Sequence, residues 1–163
     1  IMAGDALGAA RGAGGKVVII EGNPGADNAT QRRLCFEDAV AEHKLDLLDS
    51  RTAHWETEEA NQVLSTMLTA NPDIQGVMAA NDSMAIGVVK ALEAAGRTDI
   101  KVVGFAAIPA VIPMIEDGRL LASVDQFGKE MAANSIDLAL DVVKGGPQLE
   151  GWVKTPIELV GGN

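Results

Sequence analysis

A chain of 163 residues, 47% hydrophobic and 22% charged, is long enough for one domain with a full apolar core. Aromatic residues make up only 3% and tyrosine is absent, so that core has to be built from Ala, Val, Ile, Leu and Met. A net charge of −10 speaks against a nucleic-acid backbone as partner; no apolar run approaches the ~20 residues that cross a bilayer; and the single cysteine, Cys35, excludes an internal disulfide.

Residues 2–11 read as an Ala-rich helix with Met2, Ala3, Ala6, Leu7 and Ala10 on one stripe. In an alternating chain a strand should precede that helix, and none does; with Ile at position 1 and no signal peptide, the expectation is a fragment or processed piece. Residues 16–21 form the first strand, entered through Gly12-Ala13-Gly14-Gly15 and left through Gly22-Asn23-Pro24-Gly25. A helix over 27–43 follows, capped by Asp27 or Asn28, with Phe36, Ala39 and Val40 inward. His43, at its end, reads as a solvated charge on the helix dipole. Residues 45–48 are a strand and 49–56 a polar loop; 58–69 is a helix with Val63, Leu64 and Met67 inward, and 74–78 is the next strand. The alternation continues with a helix over 83–95, a strand over 101–105, a short helix over 110–117, a strand over 121–124 and a helix over 129–144. A last extended piece covers 152–160, with Pro156 marking a sheet edge. Near-continuous apolar strands alternating with helices define an α/β chain: a doubly wound, mostly parallel sheet with helices on both faces.

Enzymatic signatures are lacking. Gly8, Gly12, Gly14 and Gly15 lie between a helix and a strand, the wrong order for a dinucleotide loop. No phosphate loop and no nucleophile elbow occurs, and His43 and His54 have no Cys pair with which to build a zinc site. No catalytic residue, cofactor or metal is therefore expected. The carboxyl ends of the strands, where open α/β sheets bind ligands, are richer. Arg32, one turn into the helix after the first strand, is a multi-donor fork suited to hydroxyl or carboxylate oxygens, whereas Arg33 reads as a helix-surface charge. Trp55 follows the second strand and can stack on a flat ligand. Asn81 follows the third; Asp82 can take the helix cap and leave Asn81 for ligand. The fourth strand runs into Gly104-Phe105-Ala106-Ala107-Ile108-Pro109 without a polar side chain, and the fifth into Asp125-Gln126. No nucleophile–base pair stands among these residues, so the pattern fits binding rather than catalysis.

Three stretches carry a family resemblance: the run from Ala79 and Ala80 through Asn81-Asp82-Ser83-Met84-Ala85-Ile86-Gly87 to Leu92; Lys101-Val102-Val103-Gly104-Phe105 with Ile108-Pro109; and Ile115-Glu116-Asp117-Gly118-Arg119 through Val124. In these the chain resembles periplasmic sugar-binding proteins of the ribose-binding type, the solute receptors of ABC importers. The resemblance implies two lobes joined by three crossings, closing by a hinge around a sugar. It implies that residues 1–126 are the C-terminal lobe, that 127–151 hold a helix packing on an N-terminal lobe missing from this sequence, and that 152–163 are a returning crossing strand and tail. It assigns ligand contacts to Arg32, Trp55, Asn81 and Gln126. Ala106 stands where the family normally has an Asp accepting from hydroxyls, and Cys35 where a small Gly is usual before the Phe. Losing such an acceptor from a polyol site costs about 1–3 kcal/mol.

The implied function is non-catalytic binding of a sugar or polyol for import, in the periplasm or outside the cell, with the importer's membrane permease as partner and no direct contact with nucleic acid. Without an N-terminal lobe the stripe Met131, Ile136, Leu138, Leu140 and Val143 is expected to be exposed, inviting a homodimer mate, a swapped helix or a second chain. Two alternatives stand beside this reading. The effector-binding domain of LacI-type transcription regulators shares much of the pattern. A flavodoxin-like or Rossmann-like enzyme domain has the topology but would need a phosphate-binding loop.

Overall fold

The computed structural model describes residues 1–147, 150–151 and 153–162. In chain order the elements are α1 (Met2–Arg11), β1 (Lys16–Glu21), α2 (Asp27–Glu42), β2 (Asp46–Thr52), α3 (Thr57–Ala70), β3 (Gly76–Ala79), α4 (Asp82–Ala94), β4 (Lys101–Phe105), α5 (Ile112–Glu116), β5 (Ala122–Asp125), α6 (Gly128–Val143) and β6 (Glu158–Gly161). The sheet order is β2-β1-β3-β4-β5-β6; every pairing is parallel except the last, in which β6 returns antiparallel along β5. Right-handed crossovers put α2 and α3 on opposite faces, and α1 packs with α2 and α3 with α4. Both faces being covered explains why β1 is apolar at consecutive rather than alternate positions: Val17, Val18, Ile19 and Ile20 are all fully buried.

A core poor in aromatics fills its volume by close helix approach. In α1 the buried face is Ala3, Gly4, Leu7 and Gly8, while Ala10 is exposed, so the expected stripe is displaced toward the glycines. A Cβ on Gly4 would stand 2.5 Å from the Ala39 Cβ, and one on Gly8 would stand 2.3 Å from the His43 ring. His43 is thus not simply a solvated charge: it packs on α1 and its Nε2 lies 3.1 Å from Asp5 Oδ1. The same device brings α3 against α4 at Gly87, where a Cβ would lie 2.0 Å from the Thr57 carbonyl oxygen.

Several boundaries move. β2 runs on through Asp49 to Thr52, where a loop was expected. It is an edge strand, where polar residues are tolerated, and Ser50 and Thr52 donate to Glu21 Oε1 and the Gly22 carbonyl at 2.6 Å each, extending the pairing with β1. α2 begins after Ala26, with no side-chain cap from Asp27 or Asn28. β3 starts at Gly76, with Ile74 buried in the turn before it. Within the expected piece 152–160, strand forms only from Glu158, beyond Pro156, and Trp152 lies outside the described residues. The apolar stripe of α6 is exposed as expected: Ile136 is 61% and Val143 81% accessible, and no residue of the helix is buried.

Candidate functional site

The order β2-β1-β3 means that the chain leaves β1 toward one side of the sheet and β3 toward the other. Such a switch point opens a crevice at the carboxyl ends of the two strands. Three of the expected site residues meet there. Arg32, on the first turns of α2, reaches over the edge and donates from Nη1 to the Ala80 carbonyl at 2.7 Å. Its guanidinium carbon lies 3.8 Å from the centre of the Phe105 ring and 5.5 Å from that of Trp55. Trp55 in turn packs closely on the end of β1, where a Cβ on Gly22 would fall 2.1 Å from the indole. Burial lowers the Arg32 pKa, and the field of Asp82 works against that shift.

The third residue, Asn81, corrects an expectation. Asn81 itself caps α4, its Oδ1 accepting from the Met84 N–H at 2.8 Å. Asp82 does not cap. Its side chain turns inward, 1% exposed, and accepts from Ser123 Oγ at 2.7 Å and from the Ile108 N–H at 2.9 Å. Capping uses one lone-pair oxygen of Asn81, so the side chain still presents its NH₂ at the edge.

Asp82 and Ser123 hold the loop after β4. Ala106 N–H donates to the Val124 carbonyl, Ala107 N–H to Ser123 Oγ and Ile108 N–H to Asp82 Oδ2. Three successive amides fixed in this way sustain a backbone that L-residues avoid, with φ of +115° at Ala106 and +47° at Ala107. Of the six non-glycine residues at positive φ among the described residues, five (His54, Trp55, Ala106, Ala107 and Phe127) lie in loops leaving the carboxyl ends of β2, β4 and β5. Backbone strain is therefore concentrated on the edge that carries Arg32. Gly104 permits the clasp, since its Cβ would sit 2.3 Å from Asp82 Oδ1. Burial is the main influence on Asp82 and raises its pKa, with the Ser123 and backbone hydrogen bonds opposing.

Ala106 and Gln126 lie on the same rim, at the ends of β4 and β5, and are half-buried. Beyond Gln126, Phe127 turns left-handed at φ +50°, its N–H on Asp125 Oδ1, and the chain departs into α6. Sequence reasoning missed Phe105, read only as the end of an apolar run, and Ser123, whose signal was a lone hydroxyl inside the apolar strand 121–124. A cavity of about 270 Å³ lies at the opposite end of the sheet, lined by Arg97 and Arg119 among others. Those arginines are bound to Asp99 and Asp117, so no free group converges there. Among the described residues no cluster of three His, Cys, Asp or Glu could hold a metal, and no helix is long and apolar enough to cross a membrane.

An open α/β lobe with its polar groups gathered at the switch-point edge has the architecture in which such sheets bind ligands. The chain belongs to the periplasmic binding protein domain family, whose model matches residues 1–147. It is 42% identical over 151 residues to the D-ribose/D-allose-binding protein of Pseudomonas aeruginosa, a match covering 90% of this chain and 47% of that protein. It is 38% identical over 144 residues to the ribose import binding protein RbsB of Salmonella typhimurium, covering 88% of this chain and 49% of the relative. An ABC transporter periplasmic solute-binding protein from Actinobacillus succinogenes, solved with bound D-allose, superimposes with a TM-score of 0.94 at 36% identity, covering 99% of this chain and 57% of that one. The chain spans about half the length of the relatives it matches.

Proposed function

We propose that this chain is the C-terminal lobe of a periplasmic, non-catalytic receptor that delivers a sugar or polyol to an ABC importer. The observation that carries the reading is the Arg32 guanidinium stacked on Phe105 and near Trp55 at the switch point, with Asn81 capping the helix that starts there. Planar donors flanked by aromatic faces suit a ring with an apolar face and a polar rim, and the relatives just named are sugar receptors. Arg32 and Asn81 would meet ring oxygens, Trp55 a ring face and Gln126 a further hydroxyl. Ala106 would leave its side of the ligand without a polar side chain.

One lobe supplies about half of a cleft, so binding by the 163-residue chain is expected to be weak. Calorimetry and NMR titration with pentoses, hexoses and polyols test this, and Arg32→Ala is expected to lower the affinity about ten-fold or more. Asn81→Ser keeps a capping oxygen while removing the amide donors, so it separates binding from helix stability. Tight binding that survives both substitutions would overturn the proposal.

The segment 127–151, which carries α6 (Gly128–Val143), we assign to covering the companion lobe, as the bare apolar stripe of that helix suggests. The chain alone is then expected to associate through α6, and Ile136→Glu combined with Leu140→Glu to keep it monomeric. A clean monomer by light scattering, with the α6 amides protected from hydrogen exchange, would count against the assignment.

A further inference from the structure

The ligand edge is not polar along its whole length. In the sheet, β4 stands between β3, which leads to Asn81, and β5, which leads to Gln126. β4 itself runs into Phe105-Ala106-Ala107-Ile108-Pro109, a stretch without a polar atom in any side chain. Its amides are spent as well: Ala106 N–H goes to the Val124 carbonyl, Ala107 N–H to Ser123 Oγ and Ile108 N–H to Asp82 Oδ2, and a proline has none. From Ala106 to Pro109, therefore, no donor is left for a ligand and no side chain accepts. The stretch also borders the polar groups directly, since the Phe105 ring carries the Arg32 guanidinium 3.8 Å from its centre.

Backbone strain adds a second, independent observation. Ala106 and Ala107, at φ +115° and +47°, occupy conformations in which glycine is free of strain and alanine is not. The chain nevertheless keeps a methyl group at each, half-buried on the rim, and the Asp82–Ser123 clasp sustains the strain. What the two methyls supply is apolar surface at the ligand edge. Its width decides what it can take. Neighbouring strands stand ~4.8 Å apart, so an apolar step one strand wide matches one ring carbon with its substituent, not a whole sugar. A hydroxyl pressed on that step gives up water for no donor and no side-chain acceptor, which costs affinity. A methyl or methylene gives up nothing and gains burial.

We propose that the β4 end of this edge is a subsite for a deoxygenated carbon and that the ligand is a deoxy sugar, its methyl or methylene lying against Ala106 and Ala107 while Asn81 and Gln126 meet hydroxyls on either side. The inference rests on the sugar-binding reading of the same edge and narrows its ligand class, with Ala106 as the residue that sets the choice.

The test is an NMR titration of the 163-residue chain with sugars paired by the loss of one hydroxyl: 2-deoxy-D-ribose with D-ribose, L-rhamnose with L-mannose and L-fucose with L-galactose, with cyclohexanol as a further arm. In at least one pair the deoxy sugar is expected to bind about five-fold more tightly than its parent, the effect of one stranded hydroxyl, and to shift the Ala106 and Ala107 amides. Ala106→Ser places a hydroxyl where the methyl stood, and Ala106→Asn, a residue that tolerates positive φ, places an amide there. In either variant that folds, the preference is expected to disappear. Parents bound as tightly as the deoxy sugars in all three pairs would overturn the inference and leave the sugar reading standing, and so would a preference that persists unchanged in Ala106→Ser. Cyclohexanol bound as tightly as the deoxy sugars would also overturn it. If no carbohydrate of either kind shifts the resonances of this edge, the sugar reading fails and the inference with it.

Discussion

Gly87→Ala is expected to destabilise the chain by about 3 kcal/mol, the upper part of the range for overpacked cores, although alanine in a helix interior ordinarily gains about 1 kcal/mol over glycine. The reason is the crossing of α3 and α4. The new Cβ would fall 2.0 Å from the Thr57 carbonyl oxygen and 3.2 Å from the Ala60 Cβ. The first of these is backbone and cannot swing aside, so the helices must separate by more than an ångström. That movement also breaks the bond from Asn61 Nδ2 to the Gly87 carbonyl, 3.2 Å long. For a domain of this size the loss corresponds to a fall in Tm of about 6–12 °C, at ~2–4 °C per kcal/mol. Gly128→Ala is the matched control: nothing lies within 4 Å of its Cβ position, so propensity alone should act and the variant should be neutral or slightly more stable. Thermal unfolding of the pair decides; equal Tm values would sink the close-crossing account. Because Asn81 caps the same helix that Gly87 seats, ligand affinity should fall together with stability in Gly87→Ala.

Asp82→Ala is the second large effect. It leaves the Ser123 hydroxyl and the Ile108 N–H without their acceptor, and each stranded buried donor costs about 1–3 kcal/mol, so the sum is about 2–6 kcal/mol. The loop from Ala106 to Ile108 would be released from its positive-φ conformation, and the Phe105 platform under Arg32 would lose its anchor. Asp82→Asn keeps an acceptor and should cost less. The pH dependence separates packing from charge. Burial raises the Asp82 pKa above its ordinary 3.8, so the native state holds a proton that the unfolded chain has already released. The carboxyl's contribution is therefore complete below 3.8 and is lost as the pH rises through the raised native value. Asn has no such titration, so the stability of Asp82→Asn relative to the parent should improve as the pH climbs through that window. The groups facing Asp82 are Ser123 from β5, the backbone of the loop after β4 and the field of Arg32 from α2. Denaturant unfolding at a series of pH values measures the effect, and a gap that stays constant with pH would refute the burial argument.

Much of this architecture is legible in the chain because the signals are local. A run such as Val17 to Ile20 can only be a strand covered on both sides, and the alternation of such runs with helical stretches sets the parallel sheet. Arg32, Trp55 and Asn81 could be placed on one edge because each lies in a segment that departs from the carboxyl end of a strand, and the carboxyl ends of a parallel sheet share an edge. The exposed stripe of α6 was legible for the same reason, since a helical period shows an apolar face whether or not anything covers it.

What stayed hidden depends on residues far apart in sequence. Asn81 and Asp82 are chemically near-equal as caps, and their neighbours along the chain do not distinguish them. Ser123, 41 positions away from Asp82, draws that carboxylate inward, and Asn81 is left to cap. The same holds for Phe105, which becomes the platform for Arg32 only because β4 lies beside β3. It holds also for the polar half of β2, which pairs because Glu21 and Gly22 supply its partners. Period and strand order are written in short stretches of sequence; the division of roles among side chains at the edge is decided by which strands the fold brings together, because a hydrogen bond needs its partner within about 3 Å, and only the tertiary structure sets that distance.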